Sequence, residues 1–521
     1  MTKTLTLSFL SLLALGGTSL TSAVETPNVI IVMADDVGYG DLSCYGATGV
    51  ETPYLDQLAS EGIRFTAGYC SASTCTPTRY SLLTGDYAFR REGTGIAPPA
   101  SPAIIQPDRH TIAKQFQKAG YQTAVIGKWH LGLGAIGEGP QWNGELRPGP
   151  AEIGFDYHFL LPTTNDRVPQ VYVENSRVLN LDPNDPITLY KKIPSPEHPN
   201  GIDQRDQLKM DWTHGHNSTI HTGISRIGFY TGGETARFRD EDLADAWVDK
   251  SREWISAHKD GPFFLFFASH DNHVPRMPHE RFQGTSKTGL RGDAIVELDW
   301  CVGELMKMVE EMGLSEETMI IFCSDNGPVM DDGYADGALE KVGDHRAAGP
   351  FTGGKYSLYE GGTRTPFITR WKGRITPGQV SEEVVCTIDF GTSFSNFMGA
   401  EIPEEGLLDS LDVMGALLGQ EGAVGRESLV QQNNRGMDKQ GKINLSLRKG
   451  KWKLLRHDSR TARNVVVEQL LANTEVPQFQ LIDLEADPAE KVNLAETHPD
   501  VLAEMKEELQ RIIDSGRTRA L

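Results

Sequence analysis

The sequence has few cysteines, no long apolar run and a shortage of positive charge, and each shortage removes a class of protein. Six of 521 residues are cysteine (Cys44, Cys70, Cys75, Cys301, Cys323, Cys386), too scattered for the disulfide framework of a small stapled domain. No Cys-x-x-Cys spacing occurs, so a thiolate zinc site has no signature. The apolar stretch Leu5 to Leu15 falls short of the roughly 20 residues that span a bilayer, which argues against a membrane anchor. Behind Lys3 and ahead of Thr21-Ser22-Ala23 it has the layout of a secretory leader. Residues 1–23 are therefore expected to be a signal peptide, and the protein to be exported to a periplasm or beyond. With 50 Lys and Arg against 71 Asp and Glu, the formal charge is −21, which disfavours nucleic acid and anionic membrane surfaces as partners. Any anionic ligand must then meet a local positive focus inside an acidic shell. Neither a solenoid-type repeat nor a low-complexity tract is present, and the length suits one large domain plus a smaller one.

What the chain does have is a repeated grammar of apolar runs closed by charged residues. Asn28 to Ala34 is continuous and β-branched, as in a strand buried on both faces, and it stops at Asp35-Asp36. Thr123 to Ile126 runs into Gly127-Lys128-Trp129-His130, Phe263 to Ala268 into Ser269-His270-Asp271-Asn272-His273, and Met319 to Cys323 into Ser324-Asp325-Asn326-Gly327. Helix-like segments at 115–118, 240–257 and 298–312 separate them, the middle one striped by Leu243, Trp247, Trp254 and Ile255. Such alternation predicts a mostly parallel sheet with its charged tips on one edge, where open α/β sheets bind ligands. Paired aspartates at a strand tip repel one another unless a cation is present, although aspartate also forms turns there.

Cys75-Thr76-Pro77-Thr78-Arg79, running on to Thr84-Gly85, reads as the mouth of a helix. Pro77 suits a first helical position and Gly85 the far end. Cys75 then sits where unpaired N–H groups favour negative charge, with Arg79 one turn further in. The competing readings are a free cysteine near a surface helix and a Cys70–Cys75 bridge.

The full string, Cys-x-Pro-x-Arg with Thr-Gly after four more residues, resembles the signature of the formylglycine-dependent sulfatases, with Thr78 where Ser or Ala is commoner. Gly120 to His130 resembles the second sulfatase signature, His270 to Pro275 the histidine block, Asp325-Asn326-Gly327 the late metal pair, and Gly354-Lys355-Tyr356 the second lysine block. The resemblance covers roughly residues 27–500. It implies an alkaline-phosphatase-like α/β fold, a catalytic domain over 24–395, and a smaller C-terminal domain of antiparallel sheet plus helix over 396–521. It also implies that a maturation enzyme converts Cys75 to formylglycine (3-oxoalanine), and that Ca²⁺, ahead of Mg²⁺, is held by Asp35, Asp36, Asp325, Asn326 and residue 75. Oxygen ligands alone suit those hard cations better than zinc. By the same resemblance Arg79, Lys128 and Lys355 face the sulfate, His273 protonates the leaving oxygen, and His130 takes a proton from the hydrated aldehyde.

Substrate residues are less legible. Residues 137–235, rich in Gly, Pro and Asn, are expected to be long loops over the sheet edge. Thr164 and Arg167 fall where related enzymes keep substrate-side groups, and His214 and His216 either line a sugar subsite or have no role. The resemblance points to an arylsulfatase-like bacterial carbohydrate sulfatase acting on a sulfated polysaccharide, a glycosaminoglycan or an aryl sulfate. The alternatives are a phosphodiesterase or phosphonate monoester hydrolase on the same fold, which would carry a two-metal set richer in His and Asp, and a non-catalytic binder of sulfated glycans.

Overall fold

The computed structural model describes residues 26–433, 442–458 and 476–520; the expected leader, residues 1–23, lies outside them. The central sheet is built from β1 (Asn28–Ala34), β2 (Ile63–Phe65), β3 (Gln122–Lys128), β4 (Tyr157–Leu161), β5 (Val173–Glu174), β6 (Arg177–Val178), β7 (Phe263–Ala268), β8 (Thr318–Ser324), β9 (Phe367–Trp371) and β10 (Gln379–Ser381). Their order is β10-β2-β9-β8-β1-β7-β3-β4-β5-β6. From β8 to β4 all neighbours are parallel. Antiparallel pairs flank them on both sides, β9 against β8 and β2, β5 against β4 and β6.

The apolar runs form the middle of the sheet because both of its faces are covered. Val29, Ile31 and Met33 of β1 pack with Tyr80 and Leu83 of α1 (Cys75–Thr84) and with Phe116 of α2 (Ile112–Lys118). Their neighbours Ile30 and Val32 meet Trp247 and Ile255 of α3 (Leu243–His258) and Leu298 and Leu305 of α4 (Leu290–Glu311). Each large apolar side chain so buried contributes about 1.5–3 kcal/mol, which fixes the strand register and therefore the height of each tip. Past the strand ends the ladder continues through Ser269 N–H to the Met33 carbonyl (2.9 Å), Asp35 N–H to Asp271 (2.8 Å) and Asp325 N–H to Ala34 (3.0 Å). These bonds hold the charged tips side by side. Gly127 makes one crossing possible: a Cβ there would lie 1.9 Å from the Ala268 carbonyl oxygen.

The structure differs from the sequence reading in four places. Pro77 is the third residue of α1, behind Cys75, and not the first; the first turn has no intrahelical N–H bonds to lose, so proline fits there too. The stretch 137–235 is not all loop, since it supplies β4, β5 and β6; β4 is a short apolar run hidden among glycines and prolines. The expected border at 395/396 falls inside the helix Phe390–Phe397, whose Phe390 and Phe394 belong to the main core. The C-terminal sheet adds one strand to those the sequence pattern predicts at Ile443 to Leu455, turning at Lys449-Gly450, and at Phe479 to Leu484. It runs β11 (Ser428–Gln432), β12 (Leu445–Lys449), β13 (Trp452–Arg456), β14 (Phe479–Asp483), all antiparallel. Against it α5 (Pro499–Asp514) buries Met505, Leu509 and Ile512.

Candidate active site

Cys75 opens α1, a helix buried along its entire length and ended by Gly85 in the left-handed conformation (φ 66). The loop before it is closed by the Thr78 hydroxyl, which donates to the Ala72 carbonyl (2.9 Å) and accepts from the Ala72 N–H (3.2 Å). This aims the Cys75 side chain into a cavity of about 340 Å³ at the strand tips. The Cys75 Sγ lies 3.2 Å from His130 Nδ1. His130 Nε2 faces the Ala97 carbonyl at 3.0 Å, and a carbonyl only accepts, so the proton sits on Nε2 and Nδ1 is the basic nitrogen turned to residue 75. Burial, followed by the charge of Lys128, holds the His130 pKa well below the usual histidine range, and burial pushes the Cys75 thiol up.

Beneath Cys75 lie three fully buried aspartates, Asp35, Asp36 and Asp325, with Asn326 beside them. Asn326 Nδ2 donates to Asp36 Oδ1 (2.7 Å), and the Asp36 N–H reaches Asp325 Oδ1 (3.3 Å). Lys128 Nζ pairs with Asp35 Oδ2, and Lys355 Nζ with Asp36 Oδ2 at 2.8 Å. Arg79 spends Nε and Nη2 on Asp325 Oδ2 (2.9 and 2.8 Å) and Nη1 on the Lys128 carbonyl (2.8 Å). The three cations match the three carboxylates in number, yet burial still disfavours the ionised forms of two of them. Burial and then Asp325 push Asp35 up to about 8, and burial raises Asp36 as well. Asp35 Oδ1 and Asn326 Oδ1 have no hydrogen-bond partner among the described residues. Orphaned buried oxygens in an all-oxygen set are what a hard divalent cation completes, so these residues fit Ca²⁺ or Mg²⁺. Asp35, Asp36 and His273 each place one ligand atom within 4.8 Å of the others. Asp36 (φ 60), His130 (φ 56) and Tyr356 (φ 76) take left-handed backbone conformations, a local cost that surrounding structure must hold in place.

The outer wall of the cavity comes from the long connections. Asp166 accepts from Thr164 Oγ1, from Arg167 Nη1 at 2.9 Å and from His216 Nε2 at 2.9 Å. Burial alone would raise this carboxyl; Arg167 and His216 outweigh it and hold it well below the usual range. His216 Nδ1 in turn faces the His214 carbonyl (2.8 Å). His273 Nδ1 faces the Val274 carbonyl (2.7 Å), which leaves Nε2 as the nitrogen free to exchange a proton.

Of the residues named from sequence, Cys75, His130, Arg167, His214, His216, His273 and Lys355 line the cavity. Arg79, Lys128, Asp35, Asp36, Asp325 and Asn326 do not line it but form one bonded, buried group joined to it through Lys355, while Thr164 bonds Asp166 and Arg167. Asp166, Asp332 and Tyr356 also line it and were missed. Asp166 adjoins a residue that was named, and Asp331-Asp332 is an acidic doublet a few residues past Gly327, the signal that could have found them. The cysteines are all free, Cys70 and Cys75 included. A second buried group, His270, Asp271 and Glu297, is paired internally: Trp247 Nε1 donates to His270 Nδ1 (3.2 Å), His270 Nε2 lies 3.4 Å from Asp271, and Glu297 accepts from the His279 N–H (2.9 Å). None of the three lines the cavity.

A profile of the sulfatase family matches residues 27–400, and one described as N-sulphoglucosamine sulphohydrolase, C-terminal, matches residues 354–515. An N-acetylgalactosamine-6-O-sulfatase of Bacteroides thetaiotaomicron is 45% identical over 495 residues, covering 95% of this chain and 94% of that protein. Human arylsulfatase A is 31% identical over 93% of this chain and 87% of its own length. A solved structure described under metabolism of multiple glycosaminoglycans by Bacteroides thetaiotaomicron superposes with a TM-score of 0.89 at 44% identity, covering 94% of this chain and all of that one.

Proposed function

We propose a sulfate-releasing site built around residue 75 from one premise: the chain belongs to the sulfatase family. It is a sulfuric ester hydrolase acting on a sulfated carbohydrate. In our reading residue 75 works as formylglycine, a divalent cation, Ca²⁺ first, sits on Asp35, Asp36, Asp325 and Asn326, and the substrate is a 6-O-sulfated N-acetylgalactosamine, as named for the Bacteroides relative. We also propose export by the leader at 1–23 and maturation of Cys75 by a dedicated enzyme. The observation that carries the reading is the contact of residue 75 with the unprotonated His130 Nδ1, near an acidic set with orphaned oxygens. Burial disfavours the Cys75 thiolate, so an unmodified cysteine would be a poor nucleophile.

An aldehyde hydrate at residue 75 would supply a nucleophilic oxygen and a second hydroxyl, and a cation held by Asp35, Asp36, Asp325 and Asn326 would supply positive charge. Everything else is done by the chain. His130 Nδ1 accepts the proton from residue 75, and its Nε2–H, tied to Ala97, keeps the ring in that tautomer. Lys128 and Lys355, both buried, bring ammonium groups that offset charge growing on the ester oxygens. Arg79 keeps Asp325 and the Lys128 backbone in register. His273 turns Nε2 to the leaving sugar oxygen; with Nδ1–H committed to Val274, Nε2 donates from the imidazolium form, which the negative charge of the bound ester favours, and the ring is left neutral. In the Asp166–Arg167–His216 cluster, Arg167, held by Asp166, offers its remaining N–H groups to sugar hydroxyls.

The test is sulfate release from N-acetylgalactosamine carrying sulfate at O6 or at O4, using protein co-expressed with a maturation enzyme. The expected result is release from the 6-O-sulfate with the 4-O-sulfate at least about 100-fold slower in kcat/KM. Equal rates, or preference for O4, would overturn the substrate assignment.

A further inference from the structure

Lys355 is buried, and its ammonium is divided between two carboxylates on different loops. Nζ lies 2.8 Å from Asp36 Oδ2 and 2.9 Å from Asp332 Oδ2. Asp36 belongs to the fully buried acidic set, behind the cavity lining. Asp332 belongs to the connection after β8, with its side chain 14% exposed on the cavity wall. The Tyr356 hydroxyl donates to the same carboxylate, 2.9 Å from Oδ2 and 3.1 Å from Oδ1. The backbone beneath is pinned at both residues, with Lys355 N–H on the Pro328 carbonyl (2.9 Å) and Tyr356 N–H on the Ser73 carbonyl (2.8 Å). Tyr356 accepts a left-handed backbone (φ 76) in this arrangement, with its hydroxyl on Asp332.

We infer that Asp332 is a positioning residue for Lys355, taking over its ammonium when a divalent cation occupies the Asp36 side. The inference rests on the cation reading proposed above. The argument is one of competition. An ammonium and a divalent cation repel, and both seek Asp36, so a lysine anchored by Asp36 alone would either resist the cation or be driven off when it binds. A second carboxylate on the substrate side gives the ammonium somewhere to stay while keeping it beside residue 75. Asp332 meets that need: it is charged, clamped by a tyrosine hydroxyl, and already within hydrogen-bond distance of Nζ. An ammonium has three N–H groups, so one bond to Asp332 leaves two for the ester oxygens. Without Asp332, the ion-pair partner left to Lys355 among the described residues is Asp36, and the lysine becomes a competitor for the cation.

The experiment is a Ca²⁺ titration on cation-stripped wild-type protein, Asp332→Asn, Lys355→Met and the double variant, read by calorimetry, with kcat and KM measured beside it. We expect Asp332→Asn to weaken Ca²⁺ binding about 5- to 10-fold and lower kcat about 20-fold or more, with KM changed by less than about 3-fold. In the Lys355→Met background the same substitution should change Ca²⁺ affinity by less than about 2-fold, since the competitor is gone. Asp332→Glu should recover part of the loss in both readouts. Tyr356→Phe, which leaves the charges in place, should shift both the same way by about 2- to 4-fold and guards against misfolding of the asparagine variant. An equal loss of Ca²⁺ affinity with and without Lys355 would overturn the inference in favour of a plain field effect. A raised KM with kcat intact would overturn it in favour of a sugar contact. Wild-type protein that binds no Ca²⁺ would remove the cation reading itself, an outcome separate from either of these.

Discussion

Two sets of buried aspartate lie within a few residues of each other in the sequence and behave in opposite ways. Asp41 is as buried as Asp35 and Asp36, yet it is saturated with donors: the Gly38 N–H (2.7 Å), both terminal nitrogens of Arg291 (2.7 and 2.6 Å) and His345 Nε2 (2.8 Å). Burial would raise its pKa, but Arg291 and His345 outweigh burial and bring it down to about 2. Asp35 has a lysine on one oxygen and no partner among the described residues on the other, and it is pushed up to about 8. Burial alone therefore does not distinguish a structural acid from a functional one. The count of donors around it does, and a deficit marks the place where a ligand is needed.

Substitution should separate the two most sharply through activity. Asp35→Asn is expected to lower kcat/KM for sulfate release by about 1,000-fold or more. In the cation-free protein it should leave the thermal midpoint unchanged or higher, because burial and Asp325 already disfavour the ionised carboxyl despite its pairing with Lys128, and Lys128 keeps Asp325 nearby at 3.9 Å. A cation-free Asp35→Asn protein that melts well below wild type would break the contrast. Arg291→Met should do the reverse. Breaking a buried pair from one side costs about 3–5 kcal/mol, so urea denaturation should shift strongly, while kcat of the protein still folded stays within about 2-fold.

A pH series sharpens the same contrast. The folded pKa of Asp41 lies below the unfolded value of about 3.9, so its contribution is complete above that pH and is lost as pH falls toward 2. The folded pKa of Asp35 lies above its unfolded value, so the cation-free protein loses stability as pH rises from about 4 to 8. Thermal midpoints across pH 2–9 should show an acid limb that Ca²⁺ leaves alone and a neutral limb that Ca²⁺ lifts. The smallest expected effect is at the outer wall. His216→Ala should raise KM about 10-fold and change kcat by less than about 3-fold, since the ring sits on Asp166 and not on the reacting atoms.

The central strands and their tips were legible because the physics there is local. Runs such as Phe263–Ala268 have no polar side chain to turn outward, so they predict a strand buried on both faces, and the residues that end them fall on the sheet edge whatever the loops do. The helix around Cys75 was legible from its proline and its terminal glycine, apart from an offset of two residues. What escaped was long-range. Asp332 earns its place through Lys355 and Tyr356, more than 20 residues away, and Asp166 through His216, 50 residues on. Neither leaves a periodic trace. β11 was missed because its Ser428-Leu429-Val430-Gln431-Gln432 alternates too weakly to announce a strand until β12 pairs with it. The antiparallel flanks depend on tertiary pairing in the same way.

The most direct measurement is the mass of the peptide carrying residue 75, taken from protein that is actively releasing sulfate. The account predicts an aldehyde in place of the thiol, in proportion to the specific activity of each preparation. A fully active preparation whose residue 75 is entirely unmodified cysteine would contradict it.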